Sequence, residues 1–242
     1  MKLGIISDIH SNYEALEAVV TALEKEDCVK ILCCGDVVGY GPDPQKCVDK
    51  VRELGIACVR GNHDDLIRDI DRASELRDDV RHAIEWNYEQ LSDDARNWVA
   101  ALPRVKEYGS IEIVHASHVM HPEWLYVLDK QSVMANFFFQ RRNISFHGHT
   151  HVPLIALHKQ GTNPTVFRFQ KTSVPPQHKA LINAGSVGQP RDRNPDAAYI
   201  VFDSESREVE LKRVPYDISK TQEKMKAAQL PEKLIQRLKS GN

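Results

Sequence analysis

The first half of the chain repeats one pattern: a short unbroken apolar run, then a longer stretch in which apolar positions recur three or four residues apart. "KLGIIS" is an apolar run of strand length, and between Asn12 and Lys25 the residues Ala15, Leu16, Val19, Val20 and Leu23 mark one face of a helix. "VKILCCGD" reads as the next strand, "DPQKCVDKVRELG" as a helix closed by Gly55, and "IACVRGNHD" as a third short strand ending in a loop. Ser74 to Ala101 reads as helical. "SIEIVHAS" and "NISFHGHTH" are two more strands, followed by "VPLIALH". Later, strands prevail. "TVFRFQ", inside an interrupted segment from Lys159 to Gln177, alternates like an edge strand; "KALINAGSVG" is strand then turn; "AAYIVFD" and "EVELKRVPY" make a hairpin about "SESR". Ile218 to Ser240 reads as a pair of polar helices whose charges form a solvated face. Alternation first and strands later predict an α/β fold in which helices cover packed sheets.

Length and composition narrow this further. With 242 residues, 41% of them hydrophobic, the chain suits one domain over 1–242, with a helical extension at about 217–242. Thirty-two Lys and Arg against thirty-four Asp and Glu leave a net charge of −2, so no overall field exists to hold a nucleic-acid backbone or an anionic membrane. Nucleotide binding, if any, is local. Five cysteines, an odd number, and a start with no charged-then-apolar signal segment lead us to expect a reducing cytoplasm. No apolar run approaches the roughly 20 residues that cross a bilayer. Cys33 and Cys34 lie inside an apolar run; adjacent strand residues face opposite ways, so the pair is expected to be buried rather than to grip one ion.

Candidate chemistry gathers at the strand ends, where open α/β sheets bind ligands. The first strand ends in Asp8 and His10, the second in Asp36, the third in Asn62, His63 and Asp64. Later strands end in His115 and in the run His147, His149, His151. If that run is extended, its three imidazoles leave on one face and crowd together. Mixed imidazole and carboxylate donors suit two divalent transition metal ions, manganese foremost, with iron, zinc, cobalt and nickel compatible, rather than calcium. A shared carboxylate can hold two such cations about 3.5–4 Å apart. Glycines 35, 61 and 148 let the backbone approach them.

The ordered string "DIH…GD…GNHD…H…GHTH", from Asp8 to His151, resembles the calcineurin-like metallophosphoesterase superfamily, in its small bacterial and archaeal phosphodiesterase-like branch. The resemblance implies a four-layer α-β-β-α sandwich with two packed mixed sheets and a two-metal centre. It implies that Asp8, His10, Asp36 and His151 hold one ion, and that Asp36, Asn62, His115 and His149 hold the other, with Asp36 bridging. Two cations acidify a bridging water, and the resulting hydroxide attacks phosphorus in line. His63 corresponds to the family's non-ligand histidine, which helps the leaving oxygen depart as general acid or charge stabiliser. His147 has no ligand counterpart and is read as structural, or as orienting a ligand through its other ring nitrogen. His118 and His121 are set aside, because the ligand set is complete without them.

Departures from relatives bear on the substrate. Protein phosphatases and symmetrical dinucleoside polyphosphate hydrolases usually carry an arginine just after the second motif, whereas this chain has "GDVVGYG". A guanidinium there would bind a dianionic phosphate bidentately. Arg60 is left as a phosphate contact, and "NAGSVGQPRD" presents Arg191 after a Gly-rich turn, as a phosphate ligand or a plain turn residue. Trp124 and Tyr126 are read first as core packing and second as a nucleobase platform. The expectation is a phosphodiesterase or phosphoanhydride hydrolase for small, nucleotide-type phosphoesters, with Asn62, His63 and Arg191 meeting the substrate. A phosphomonoesterase, a Ser/Thr protein phosphatase and a non-catalytic scaffold are the alternatives.

Overall fold

A computed structural model describes residues 1–120 and 123–242, so His121 lies outside the described residues. In chain order the elements are β1 (Lys2–Ile6), α1 (Tyr13–Glu24), β2 (Lys30–Cys33), α2 (Pro44–Glu53), β3 (Ala57–Cys58), α3 (Asn62–Arg68), a 3₁₀ turn (Ile70–Glu75), α4 (Asp78–Gln90) and α5 (Asp93–Ala100). Then follow β4 (Val105–Tyr108), β5 (Ile111–Val114), α6 (Lys130–Phe139), β6 (Ile144–His147), β7 (Leu154–Lys159), β8 (Thr165–Phe167), β9 (Lys171–Ser173), β10 (His178–Asn183), β11 (Ala197–Asp203), β12 (Glu208–Val214), α7 (Ile218–Ala227) and α8 (Glu232–Ser240).

Two six-stranded mixed sheets result, in the orders β3-β2-β1-β11-β12-β9 and β4-β5-β6-β10-β7-β8. In the first, β1 runs parallel to β2 and antiparallel to β11. In the second, β6 runs parallel to both β5 and β10. The period of two along β1 builds the layers: Leu3 and Ile5 face the second sheet, and Ile6 faces α1. Between the sheets they meet Ile113, Ile144, Phe146 and Ile182, and Phe146 packs edge-on to Phe202 at 5.4 Å. Burying each such side chain contributes roughly 1.5–3 kcal/mol. Outside the first sheet, Leu16, Val19 and Leu23 of α1 pack with Val48 and Val51 of α2. On the far face of the second, Val133 and Phe137 of α6 cover Ala156 and Leu181. This is the expected four-layer sandwich. Cys33, the last residue of β2, and Cys34, which follows it, are both buried and enter different core clusters, one on each side of the first sheet.

Several boundaries differ from the expectation. The helical stretch after Ser74 is two helices, broken at Leu91 and Ser92, where the Ser92 hydroxyl accepts from the Ala95 N–H and starts α5 afresh. The loop expected after "RGN" is helix α3. "TVFRFQ" contributes only Thr165–Phe167, as the edge of the second sheet. Helices α7 and α8 do not stand apart: Met225, Leu234, Ile235 and Leu238 pack with Ala83 of α4 and with Tyr40. Among the described residues no helix is long and apolar enough to cross a membrane.

One buried histidine links this core to pH. His118 is buried, with Nε2 2.7 Å from the Ser145 hydroxyl, and burial, aided by Lys179 and Arg141, pushes its pKa down to about 4. Unfolded it titrates near 6.5, so between those values the unfolded chain binds a proton that the folded chain refuses. Its contribution is therefore full above about pH 6.5 and is lost as pH falls toward 4, by up to about 1.4 kcal/mol per pH unit. His118→Gln should shrink the drop in melting temperature between pH 7 and pH 5. An unchanged drop would place the acid sensitivity elsewhere.

Candidate metal centre

Five strand ends deliver the candidate residues to one edge of the sandwich. Asp8 and His10 follow β1, Asp36 follows β2, Asn62 and His63 open α3 after β3, His115 follows β5, and His149 and His151 follow β6. The extended run imagined for the three late histidines does not exist. Strand β6 stops at His147, and His149 and His151 take left-handed backbone at φ 67° and 59°. Asp8, His10 and Asp36 do the same, at 53°, 47° and 54°. For residues bearing a Cβ such conformations cost of order 1–3 kcal/mol each and persist only where the surroundings over-determine them. Here the Asp8 N–H donates to the Gly35 carbonyl and the His10 N–H to the Asp36 carbonyl, both at 3.0 Å. The His149 N–H donates to Asp8 Oδ2 at 3.1 Å.

Two glycines let the chain pass close to the carboxylates. A Cβ on Gly61 would lie 2.0 Å from Asp36 Oδ1, and one on Gly148 would lie 2.2 Å from Asp8 Oδ2. Asp64, given no role by the sequence, holds the same loop: its carboxylate accepts from the backbone N–H groups of Asp36, Val37 and Gly61 at 2.8, 3.0 and 2.9 Å. Burial first, and then the charge of Asp36, push its pKa up to about 7. Only its place at the start of α3, within reach of a preceding loop, could have signalled this.

The imidazoles are aimed by their outer nitrogens. Nδ1 of His10, His115 and His151 lie 3.2, 2.8 and 2.6 Å from the carbonyls of Val38, Cys34 and Gln189. A carbonyl accepts only, so each Nδ1 carries a proton and each Nε2 points inward, with a lone pair wherever the ring is neutral. His10 Nε2 and His151 Nε2 consequently face each other at 3.1 Å, with Asp8 Oδ1 3.2 Å from the latter. Asp36 Oδ2 lies 3.6 Å from His10 Nε2 and 3.3 Å from His115 Nε2, and the Asn62 amide oxygen lies 3.1 Å from that same nitrogen. Asp8, His10 and His151 form one potential ligand group, and Asp8, Asp36 and His115 another. The Nε2 atoms of His10 and His151 facing each other beside buried carboxylates are costly without a cation between them, so the donor set fits divalent metal ions. His149 joins neither group; its buried Nε2 has no partner among the described residues, and its ring lies 5.1 Å from that of His115.

Charge follows the same geometry. Burial works against ionisation of Asp8 and Asp36, yet the imidazoles, His151 for the first and His115 for the second, hold both carboxyls below the usual range. Burial also opposes protonation of His115, but Asp36 and then Asp8 prevail and raise it to about 9. A bound cation would displace that proton. Burial keeps His149 near 3 and His151 near 4.

A family model described as the calcineurin-like phosphoesterase superfamily domain matches residues 1–207. The chain belongs to that superfamily. An uncharacterized protein of Methanocaldococcus jannaschii is 34% identical over 243 residues, spanning 99% of this chain and 98% of its own. The crystal structure of a metallophosphoesterase from Sphaerobacter thermophilus superposes over the whole of both chains with a TM-score of 0.85 at 35% identity. A hypothetical protein from Pyrococcus horikoshii shares the fold, with a TM-score of 0.82 at 20% identity over 100% of this chain and 98% of its own. This chain is thus a phosphoric ester hydrolase by family.

Around the centre of this phosphoesterase, other expectations sort out. His63 is buried, its backbone N–H donates to Asp36 Oδ1 at 2.9 Å, and its Nδ1 has no partner among the described residues. It is near enough to His10 and Asp36 to form a third potential ligand group. Tyr40 packs its ring 4.6 Å from that of His10 and 4.4 Å from that of His63. Arg191 sits over the Tyr40 ring at 5.6 Å. Arg60 does not reach it: its guanidinium is taken by Asp65 at 3.1 Å and by the Ala100 carbonyl at 2.7 Å. Trp124 is buried, with the Arg104 guanidinium 4.1 Å above its ring, so its role is packing. Tyr126 is half exposed and stacks on His149 at 4.0 Å. His147 ends β6 with its pKa held near 3 by burial. His10→Ala and His149→Ala should each lower metal content by elemental analysis, whereas His147→Ala and His118→Ala should stay near that of the parent. Equal loss in all four would contradict the assignment.

Proposed function

We propose that this phosphoesterase binds two divalent transition metal ions and hydrolyses small phosphodiester or phosphoanhydride substrates of nucleotide type. The observation that carries this is the convergence of three Nε2 atoms, each fixed by an Nδ1–carbonyl bond, on the buried carboxylates of Asp8 and Asp36. Asp8, His10, Asp36 and His151 hold one ion; Asp36, Asn62, His115 and His149 hold the other. Bound there, the ions supply Lewis acidity toward the phosphoryl oxygens and acidify water for attack. Asp36 Oδ2, between His10 and His115, serves both ions, while Oδ1 is kept in place by the His63 N–H. Asn62 adds a neutral oxygen beside His115. His63 supplies the proton or the positive charge that the leaving oxygen needs, and Arg191 meets the phosphate from the other side of Tyr40. The backbone after Asp36 offers Gly39, Tyr40 and Gly41 where protein phosphatases usually carry an arginine, which favours diesters and anhydrides over dianionic monoesters.

Manganese-loaded protein should hydrolyse bis-aryl phosphodiesters or dinucleoside polyphosphates faster than phosphopeptides. Faster phosphate release from phosphopeptides would reverse that order, and no turnover of any ester in protein of full metal content would indicate a scaffold.

A further inference from the structure

Arg191 is not the only cation at the edge of the centre. Its guanidinium donates to Gln189 Oε1 through Nε and NH2, at 3.3 and 2.9 Å. The same oxygen receives NH1 of Arg237, from α8, at 3.2 Å. One amide oxygen therefore gathers two like-charged groups, both half-buried. Among the described residues neither guanidinium forms an ion pair, whereas nearby arginines are neutralised: Arg213 by Asp192, and Arg77 by Asp79 at 2.6 Å. Asp79 bears on Arg237 electrostatically, but it is already engaged by Arg77. The other end of the Gln189 amide, Nε2, is buried and has no partner among the described residues. Two unneutralised guanidiniums and an idle amide donor in one half-buried place are costly unless an anion joins them.

The position of the pair relative to the centre is set on both sides. The Gln189 carbonyl faces His151 Nδ1, and the Arg191 N–H donates to the His151 carbonyl at 3.2 Å. Tyr40 is the wall between Arg191 and the rings of His10 and His63. Nor is α8 a loose tail. Lys224 of α7 bonds Glu14 at 2.5 Å and Asp43 at 2.7 Å, the Gln222 amide reaches the Ile235 carbonyl at 2.6 Å, and the Arg193 N–H donates to the Gly241 carbonyl at 2.7 Å. Leu238 packs in the same cluster as Tyr40. Both helices lie beyond residues 1–207, which the family model covers.

We infer that Arg237 and Arg191, joined through Gln189, form a subsite for a second phosphoryl group adjacent to the one being cleaved, so that the preferred substrate is a phosphoanhydride rather than an isolated phosphodiester. The inference rests on the proposed function for where the scissile phosphate sits. Arg237 is a specificity-determining residue in this scheme: it meets the phosphate that is not attacked. Arginine suits the task, because its fork binds phosphate oxygens in pairs and it stays charged when half-buried.

The test is a binding measurement, independent of turnover. Manganese-loaded protein is titrated by fluorescence with AMP and with α,β-methylene ADP, each bearing the same ribose-linked fluorophore. In the parent, the diphosphate analogue should bind at least about tenfold more tightly than AMP, and Arg237→Gln should weaken it roughly 10–100-fold, the scale of charge-assisted hydrogen bonds, with a much smaller effect on AMP. Arg237→Lys should recover part of the loss. Lys239→Gln removes an exposed charge from the same helix and should leave the ratio of the two affinities unchanged. A parent that does not discriminate, an unchanged ratio in Arg237→Gln, or equal shifts in Arg237→Gln and Lys239→Gln would overturn the subsite. Discrimination without hydrolysis of any ester would instead retain the subsite and refute the proposed function.

Discussion

Asp36→Asn is expected to leave a folded protein that retains fewer than two divalent ions per chain and turns over at least about 10³-fold more slowly, a loss of several kcal/mol of charge stabilisation. Asp36 Oδ2 stands 3.6 Å from His10 Nε2 and 3.3 Å from His115 Nε2, so it faces both halves of the ligand set. The asparagine keeps an oxygen to accept the His63 N–H, which now bonds Oδ1 at 2.9 Å, and this separates charge from shape. Without that charge only Asp8 among the assigned ligands opposes the repulsion between two cations. The loss should therefore exceed that of His10→Ala or His149→Ala, each of which removes a neutral donor from one ion. Elemental analysis at stoichiometric metal, run beside turnover, decides it: full occupancy in Asp36→Asn would mean that the bridge lies elsewhere.

The next largest effect is expected at His63, and there metal content and turnover should part. His63→Asn should keep its ions and slow the chemical step roughly 10²–10⁴-fold, as loss of general acid–base catalysis does. Burial holds the His63 pKa well below its usual value, and Asp36 opposes that. The negative charge of a bound phosphoester adds to the pull of Asp36, in the direction needed for the ring to carry a proton. The penalty should track the leaving group, because an alkoxide needs a proton and p-nitrophenolate does not. A nitrophenyl ester should be largely spared and a sugar-linked ester should not. Equal slowing of both with metal intact would make His63 a positioning group. Loss of metal would make it a ligand, a role that its closeness to His10 and Asp36 permits sterically.

Asp64 shows how such a site is maintained. Four backbone N–H groups, of Asp36, Val37, Val38 and Gly61, point at one buried carboxylate, and they fix the loop that carries Asp36. In the sequence Asp64 is simply the residue after His63, and only its place just after a strand-end loop sets it apart from a surface acid.

Residue pattern alone was enough for most strands and helices of the first half, though not for α3 or β4, because apolar runs and helical spacing express which face of an element must be buried. It was enough, too, to single out the donor types the proposed function uses, since Asp8, Asp36, His115, His149 and His151 carry their chemistry in the side chain whatever the backbone does. Left-handed backbone at Asp8, His10, Asp36, His149 and His151 was illegible, because it is held by hydrogen bonds between separate segments, such as those from the His10 N–H to the Asp36 carbonyl and from the His149 N–H to Asp8. Arg60 and Arg191 look alike in a string of letters, yet Asp65 and Ala100 occupy the first, while the second meets Arg237 across Gln189. Helix α8 read as a polar surface helix and proved to bring a guanidinium to the edge of the centre. A periodic pattern reports which side of a helix is apolar, but only packing against Tyr40 and Met225 decides where its polar side stands.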